Sequence, residues 1–150
     1  MPQRLLLFTL AGHGFALDLE EVSEVMEPQP SYPIPRAPAH VLGLMNFHGA
    51  LTALVDLKLY LGYGGRSRSG GKVLVLDTRV ASLAVWVDGV SSVVTEEVVT
   101  ARTPQEDELT PELLHTEQDS YRLLKLEPLL GALELELTGF LPPGHAPQGR

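Results

Sequence analysis

LEEVSEV at residues 19–25 and VDGVSSV at residues 87–93 set aliphatic, acidic and serine positions in one frame, 68 residues apart. A second correspondence follows at a shift of 69, where Leu54-Val55-Asp56-Leu57 with Leu61-Gly62 falls on Leu123-Leu124-Lys125-Leu126 with Leu130-Gly131. Each half thus runs through a hairpin, an acidic-x-Val-Ser-x-Val segment and a late strand entering a Leu-Gly helical stop, over residues 1–62 and 72–131. Apolar strands echo one another easily, so chance is the competing explanation; duplication is the one carried forward. Two small β-barrel lobes around one core would house the halves, since barrel closure removes the edges that short sheets expose. The expected fold is all-β with short helices.

Outward from these segments the punctuation is clear. RLLLFTL and FALDL read as the strands of a hairpin, with Gly12-His13-Gly14 as its positive-φ turn. EEVSEVM places Val22, Val25 and Met26 at i, i+3 and i+4, which predicts a short helix. The prolines at 28, 30, 33, 35 and 38 make the next stretch an extended connector. VLGLMNFHG and ALTALVDL predict two strands, and KLYLG a helical turn stopped by Gly62. Residues 62–71, with five glycines, predict a mobile loop that solvates Arg66 and Arg68. KVLVLD and ASLAVWVDGV predict a second hairpin around Thr78-Arg79, and SSVVTEEVVTA short extended or turn structure. Thr110-Pro111-Glu112 looks like a helix start. YRLLKLEPLLG closes the second lobe, and residues 141–150 are expected to be a disordered tail.

Composition narrows the function. Hydrophobic residues make up 44% and charged residues 20%, the balance of a folded, soluble chain. Acidic residues outnumber basic ones 19 to 11, so a phosphate-neutralising surface, and with it nucleic acid as partner, is not expected. The absence of cysteine removes disulfides, thiol nucleophiles and thiolate metal sites. The apolar run Leu5 to Ala11 is too short for a membrane span, and the expected location is cytoplasmic, without membrane insertion.

Catalysis has little to stand on. No G-x-S-x-G elbow occurs, and histidines 13, 40, 48, 115 and 145 lack metal-binding spacing. The enzyme alternative is a small β-barrel enzyme using His48 and Asp56. Glu24 reads as a solvated charge; the alternative is that it holds a partner or pairs with His48 across the lobe. Trp86, flanked by Val85 and Val87, reads as a core edge or as an interface anchor.

FALDLEEVSEVM after the first hairpin, the proline-rich connector into HVLGLMNFHGALTALVDL, VDGV after the second hairpin and LLKLEPLLG near the end follow in one order along nearly the whole chain. In that order they resemble the CheW-like domain family of chemotaxis coupling proteins. The resemblance implies that residues 1–140 form a single domain of two intertwined five-stranded SH3-like β-barrel lobes sharing a hydrophobic core. It implies an adaptor with no catalytic site, cofactor or metal. Such an adaptor binds the cytoplasmic tip of a methyl-accepting chemoreceptor and pairs with the regulatory domain of a CheA-type histidine kinase; an adaptor for surface motility or another output is the alternative on the same fold. Leu6, Leu19, Val22, Val25 and Val90 match positions of the family's receptor-binding groove, and Glu24 and His48 match its partner-contact positions. The chain departs from the family pattern at Asn46-Phe47-His48-Gly49, where Asn-Leu-Arg-Gly is typical. It departs again at Thr52-Ala53 and at Lys125, where aspartate is common. His48 offers at most two donors where arginine offers a planar fork.

Overall fold

The computed structural model describes residues 2–65 and 70–138. Strands β1 (Arg4–Leu10) and β2 (His13–Asp18) form the expected hairpin. Its turn lies one residue earlier than predicted: Ala11 and Gly12 take positive φ, 51° and 82°, and close a two-residue loop. His13 and Gly14 belong to β2, where a Cβ on Gly14 would come within 2.7 Å of the Tyr121 ring.

The helix predicted over EEVSEVM does not form. Residues Leu19–Glu21 make one 3-10 turn and Val22–Met26 is strand β3. The proline connector is extended as expected and is pinned by Tyr32, which exchanges backbone hydrogen bonds of 2.8 and 2.9 Å with Leu44. β4 (Val41–Phe47) and β5 (Ala50–Asp56) follow, then α1 (Leu57–Leu61). The Asp56 carboxylate accepts from Leu59 N at the start of α1, and Gly62, with φ 81°, ends it.

β6 (Lys72–Leu76) and β7 (Leu83–Val87) form the second hairpin, and β8 (Gly89–Thr95) and β9 (Ala101–Pro104) continue the chain. The predicted helix start at Thr110-Pro111-Glu112 is instead the entry to strand β10 (Glu112–His115), which pairs with β9 and with β11 (Ser120–Leu123). Two ladders at once satisfy its backbone, and that outweighs the helical preference of Glu and Leu. Helix α2 (Leu126–Thr138) runs through Gly131, the predicted stop.

The halves exchange strands. Hairpin β1–β2 carries β8, β11, β10 and β9 in a six-stranded sheet of order β8-β1-β2-β11-β10-β9. Hairpin β6–β7 carries β3, β5 and β4 in a five-stranded sheet of order β3-β6-β7-β5-β4. The registers correspond: Val22↔Leu76 answers Val90↔Phe8, and Val25↔Leu74 answers Val93↔Leu6, each partner displaced by 68. The parallel contacts correspond too, Ala53↔Leu83 with Arg122↔Phe15.

Two covered faces explain the continuous apolar runs. In RLLLF, Leu6 and Phe8 enter the core common to both lobes, while Leu5 and Leu7 fill the first lobe. In KVLVL, Leu74 and Leu76 enter the common core, while Val73 and Val75 fill the second lobe. Leu126, Leu129 and Leu133 of α2 seal the common core. The result is the two-lobed SH3-like fold, all-β but for short helical elements, with β9 as a sixth strand on one sheet where five were expected.

The described ends of the glycine-rich segment are packed. Tyr63 sits edge-on to Phe15 and His13, with Arg122 stacked on it, and Trp86 donates to Gly70 O at 3.1 Å. Trp86 also packs on the second lobe's interior, which makes it a core edge. Arg66, Arg68 and the tail at 141–150 lie outside the described residues.

Candidate partner-binding surface

In a regular strand Val22 and Val25, three residues apart, would point to opposite faces. A β-bulge at Ser23 changes this: Val22 opposes Leu76, Glu24 opposes Val75, and Ser23 is the unpaired extra residue. Both valines therefore lie on the face of Leu74 and Leu76, the face that forms the common core. Met26 turns to the second lobe's own interior. β8 repeats the device with Ser91 as the extra residue, its hydroxyl donating to Leu7 O at 3.2 Å, so Val90 and Val93 share the face of Leu6 and Phe8. A bulged strand thus meets the i, i+3 pattern that suggested a helix.

The five sequence-predicted groove residues divide by burial. Leu6 is 2% exposed in the common core and presents no surface to a partner; its place opposite Val93 makes it the support beneath that exposed valine. Leu19, Val22 and Val90 are half-buried at the margin of that core. Val25 is 39% exposed. Its counterpart Val93, 48% exposed, was missed in the sequence, although the shift of 68 that aligns Val22 with Val90 reaches it directly.

Glu24 and His48 do meet. The sheet curls so that edge strand β3 approaches the β4–β5 turn, and His48 Nε2 lies 3.5 Å from Glu24 Oε1. The turn presents the imidazole through left-handed backbone at His48 (φ 51°) and Gly49 (φ 86°), and the Asn46 side chain fixes it by accepting from Gly49 N at 2.8 Å. The His48 side chain is 75% exposed and tilts against the Phe47 ring. At this exposure the pair is a weak, salt-screened bridge across the barrel seam. Just past the end of β3, Glu27 pairs with Lys72 of β6.

His48, in the turn before β5, and Asp56, the last residue of β5, are separated by the length of that strand, on the order of 20 Å at strand rise, so the dyad of the enzyme alternative is not assembled. Asp56 is buried as the α1 cap. Glu21, on the 3-10 turn before β3, is half-buried, which raises its carboxyl above the ordinary range; repulsion from Asp18 adds to this and Lys125 opposes it. At the neighbouring β6–β7 turn, hydrogen bonds from Arg79 hold the Asp77 carboxyl below its usual value.

Matched aliphatic side chains on two bulged edge strands, over a core that both lobes share, place the chain in the class of two-lobed SH3-like domains. The chain belongs to the CheW-like domain family, whose model matches residues 4–132. It is 31% identical over 94 residues to the chemotaxis protein CheW of Rhizobium meliloti, a match covering 62% of this chain and 61% of that protein. It is 26% identical over 142 residues to the probable chemotaxis protein CheW of Rhizobium etli, covering 89% and 91%. The crystal structure of the scaffolding protein TtCheW from Thermoanaerobacter tengcongensis superposes with a TM-score of 0.72 at 24% identity, over 83% of this chain and 90% of that one. Among the described residues no helix is long and apolar enough to cross a membrane.

Proposed function

We infer that the chain is a non-catalytic chemotaxis adaptor of the cytoplasm, which holds the tip of a methyl-accepting chemoreceptor and the regulatory domain of a CheA-type histidine kinase in a fixed arrangement. Membership of the family supports the pathway, and the exposed pair Val25 and Val93 is the observation that carries the binding mode. Both valines project from the face that continues into the common core. A helical hairpin laid against them would bury aliphatic surface on both sides. Glu24 and His48, at the seam of the second lobe, form a separate polar contact suited to the kinase.

The test is titration of a soluble receptor-tip fragment and of a kinase regulatory fragment into the full chain and its Val25→Asp and Val93→Asp variants. Circular dichroism is expected to be unchanged, because both side chains are exposed. Receptor binding is expected to weaken at least tenfold, since a helix would have to bury an unpaired charge. Kinase binding is expected to respond to His48→Ala instead. Receptor binding unchanged in both aspartate variants would overturn the assignment of the face.

A further inference from the structure

The seams of the two lobes differ. In the second, Glu24 meets His48, and Met26 and Phe47 pack on the lobe's interior behind them. At shifts of 68 and 69 the same places hold Ser92, Glu117, Val94 and Thr116. Serine and glutamate do not make the bridge, threonine does not fill the volume of phenylalanine, and the first lobe's seam is open as a cleft of about 430 Å³. Leu7, Val94 and Tyr121 form its apolar base, and Val98, 42% exposed, stands at its side. Glu97 and Glu117 line it as well. Neither carboxylate has an ion-pair or hydrogen-bond partner among the described residues, and no cationic side chain lines the cleft.

Clefts of this volume with apolar walls and a few polar groups suit small molecules. We propose that the open seam of the first lobe binds a small organic amine, a protonated amino group on an apolar body. The ring or alkyl chain lies against Tyr121, Val94 and Val98, and the positive head reaches Glu97 and Glu117. Apolar contact supplies most of the affinity; the two carboxylates select for charge. The site is distinct from the Val25–Val93 face and from the Glu24–His48 seam, so it does not depend on the adaptor reading.

Methyl and amide NMR of the full chain, titrated with phenethylamine and with the uncharged 2-phenylethanol, tests the proposal. Saturable shifts at Val94, Val98 and Tyr121 are expected with the amine, and binding of the alcohol is expected to be several-fold weaker. The double variant Glu97→Gln, Glu117→Gln should lower amine affinity about fivefold, the scale of one or two exposed ion pairs. Ser92→Glu with Glu117→His rebuilds the second lobe's bridge in the first, and should abolish the shifts while leaving second-lobe resonances in place. A third arm uses acetyl-Leu-Arg-amide as a stand-in for a partner protein's side chain. Saturation by this peptide alone, equal shifts from amine and alcohol, or shifts outside the cleft would each overturn the proposal.

Discussion

β3 and β8 occupy the same place in their lobes, bulge at the same serine and oppose partner residues in the same register, yet their approaches differ. β3 is entered through a 3-10 turn bearing Glu20 and Glu21, and β8 directly from the second hairpin through Asp88 and Gly89. What the lobes share is buried: Leu6 with Leu74 and Phe8 with Leu76, at the interface where each lobe packs on the other. What differs most is exposed, Glu24 against Ser92 and His48 against Glu117, while Glu21 against Gly89 differs at the half-buried margin. Burial fixes register, because a slip of one residue would expose every inward side chain; solvent imposes no such condition.

The hardest way to break the comparison is through that shared interior. Leu6→Ala and Leu74→Ala should each cost about 3 kcal/mol in urea unfolding, the usual scale for a buried leucine. A loss below about 1 kcal/mol at Leu6 would return it to the surface and undo its assignment as support for Val93.

The aligned glycines should diverge in sign. Gly62 caps α1 in left-handed backbone, so Gly62→Ala should destabilise by about 1 kcal/mol. Gly131 lies inside α2, where an added Cβ meets nothing within 4 Å, so Gly131→Ala should stabilise by about 0.5–1 kcal/mol. Thermal unfolding of the two variants decides, and the same sign for both would mean that α2 ends at Gly131.

A smaller, pH-dependent difference is expected at Glu21. Its raised carboxyl value means that the folded state holds the proton more tightly than the unfolded one. The stability it contributes is complete below the unfolded carboxylate value, near 4.5, and is lost as pH rises through the folded value. Glu21→Gln should therefore flatten the fall in melting temperature on the alkaline side of pH 4.5 and leave the protein slightly more stable at neutrality. A steeper fall in the variant would contradict the burial argument.

The slightest effect is expected at the seam. His48→Arg places a permanent charge beside Glu24 and should stabilise by a few tenths of a kcal/mol in low salt, with the gain gone at 1 M salt. A gain that persists in high salt would point to packing on Phe47 rather than to charge.

Much of this was legible in the residues. Proline and glycine punctuation placed the first hairpin, the connector and the end of α1, since proline fixes φ and glycine admits positive φ whatever surrounds them, while the second hairpin was read from the apolar runs on either side of Thr78-Arg79. The Glu24–His48 contact was one of three readings open for Glu24, beside a solvated charge and a hold on a partner. Two helix predictions failed, at EEVSEVM and at Thr110-Pro111-Glu112, for one reason. Both segments are short and tolerant of either conformation, and both acquire strand partners from distant sequence, β6 for the first and β9 with β11 for the second. Val93 was missed because an outward valine on a strand looks like any other until its register is known.

Residue order and local backbone restriction are enough to make the chain β-rich, to set its halves in one frame at 68 and 69, and to carry the resemblance to the CheW-like domains. The exchange of strands between the halves, the bulges at Ser23 and Ser91, and the bridging of one seam but not the other emerge only once the chain is folded. Those outcomes depend on which backbone groups and side chains meet across dozens of residues, and cross-strand pairing is settled by packing on both faces of a sheet, not by the preference of any one segment.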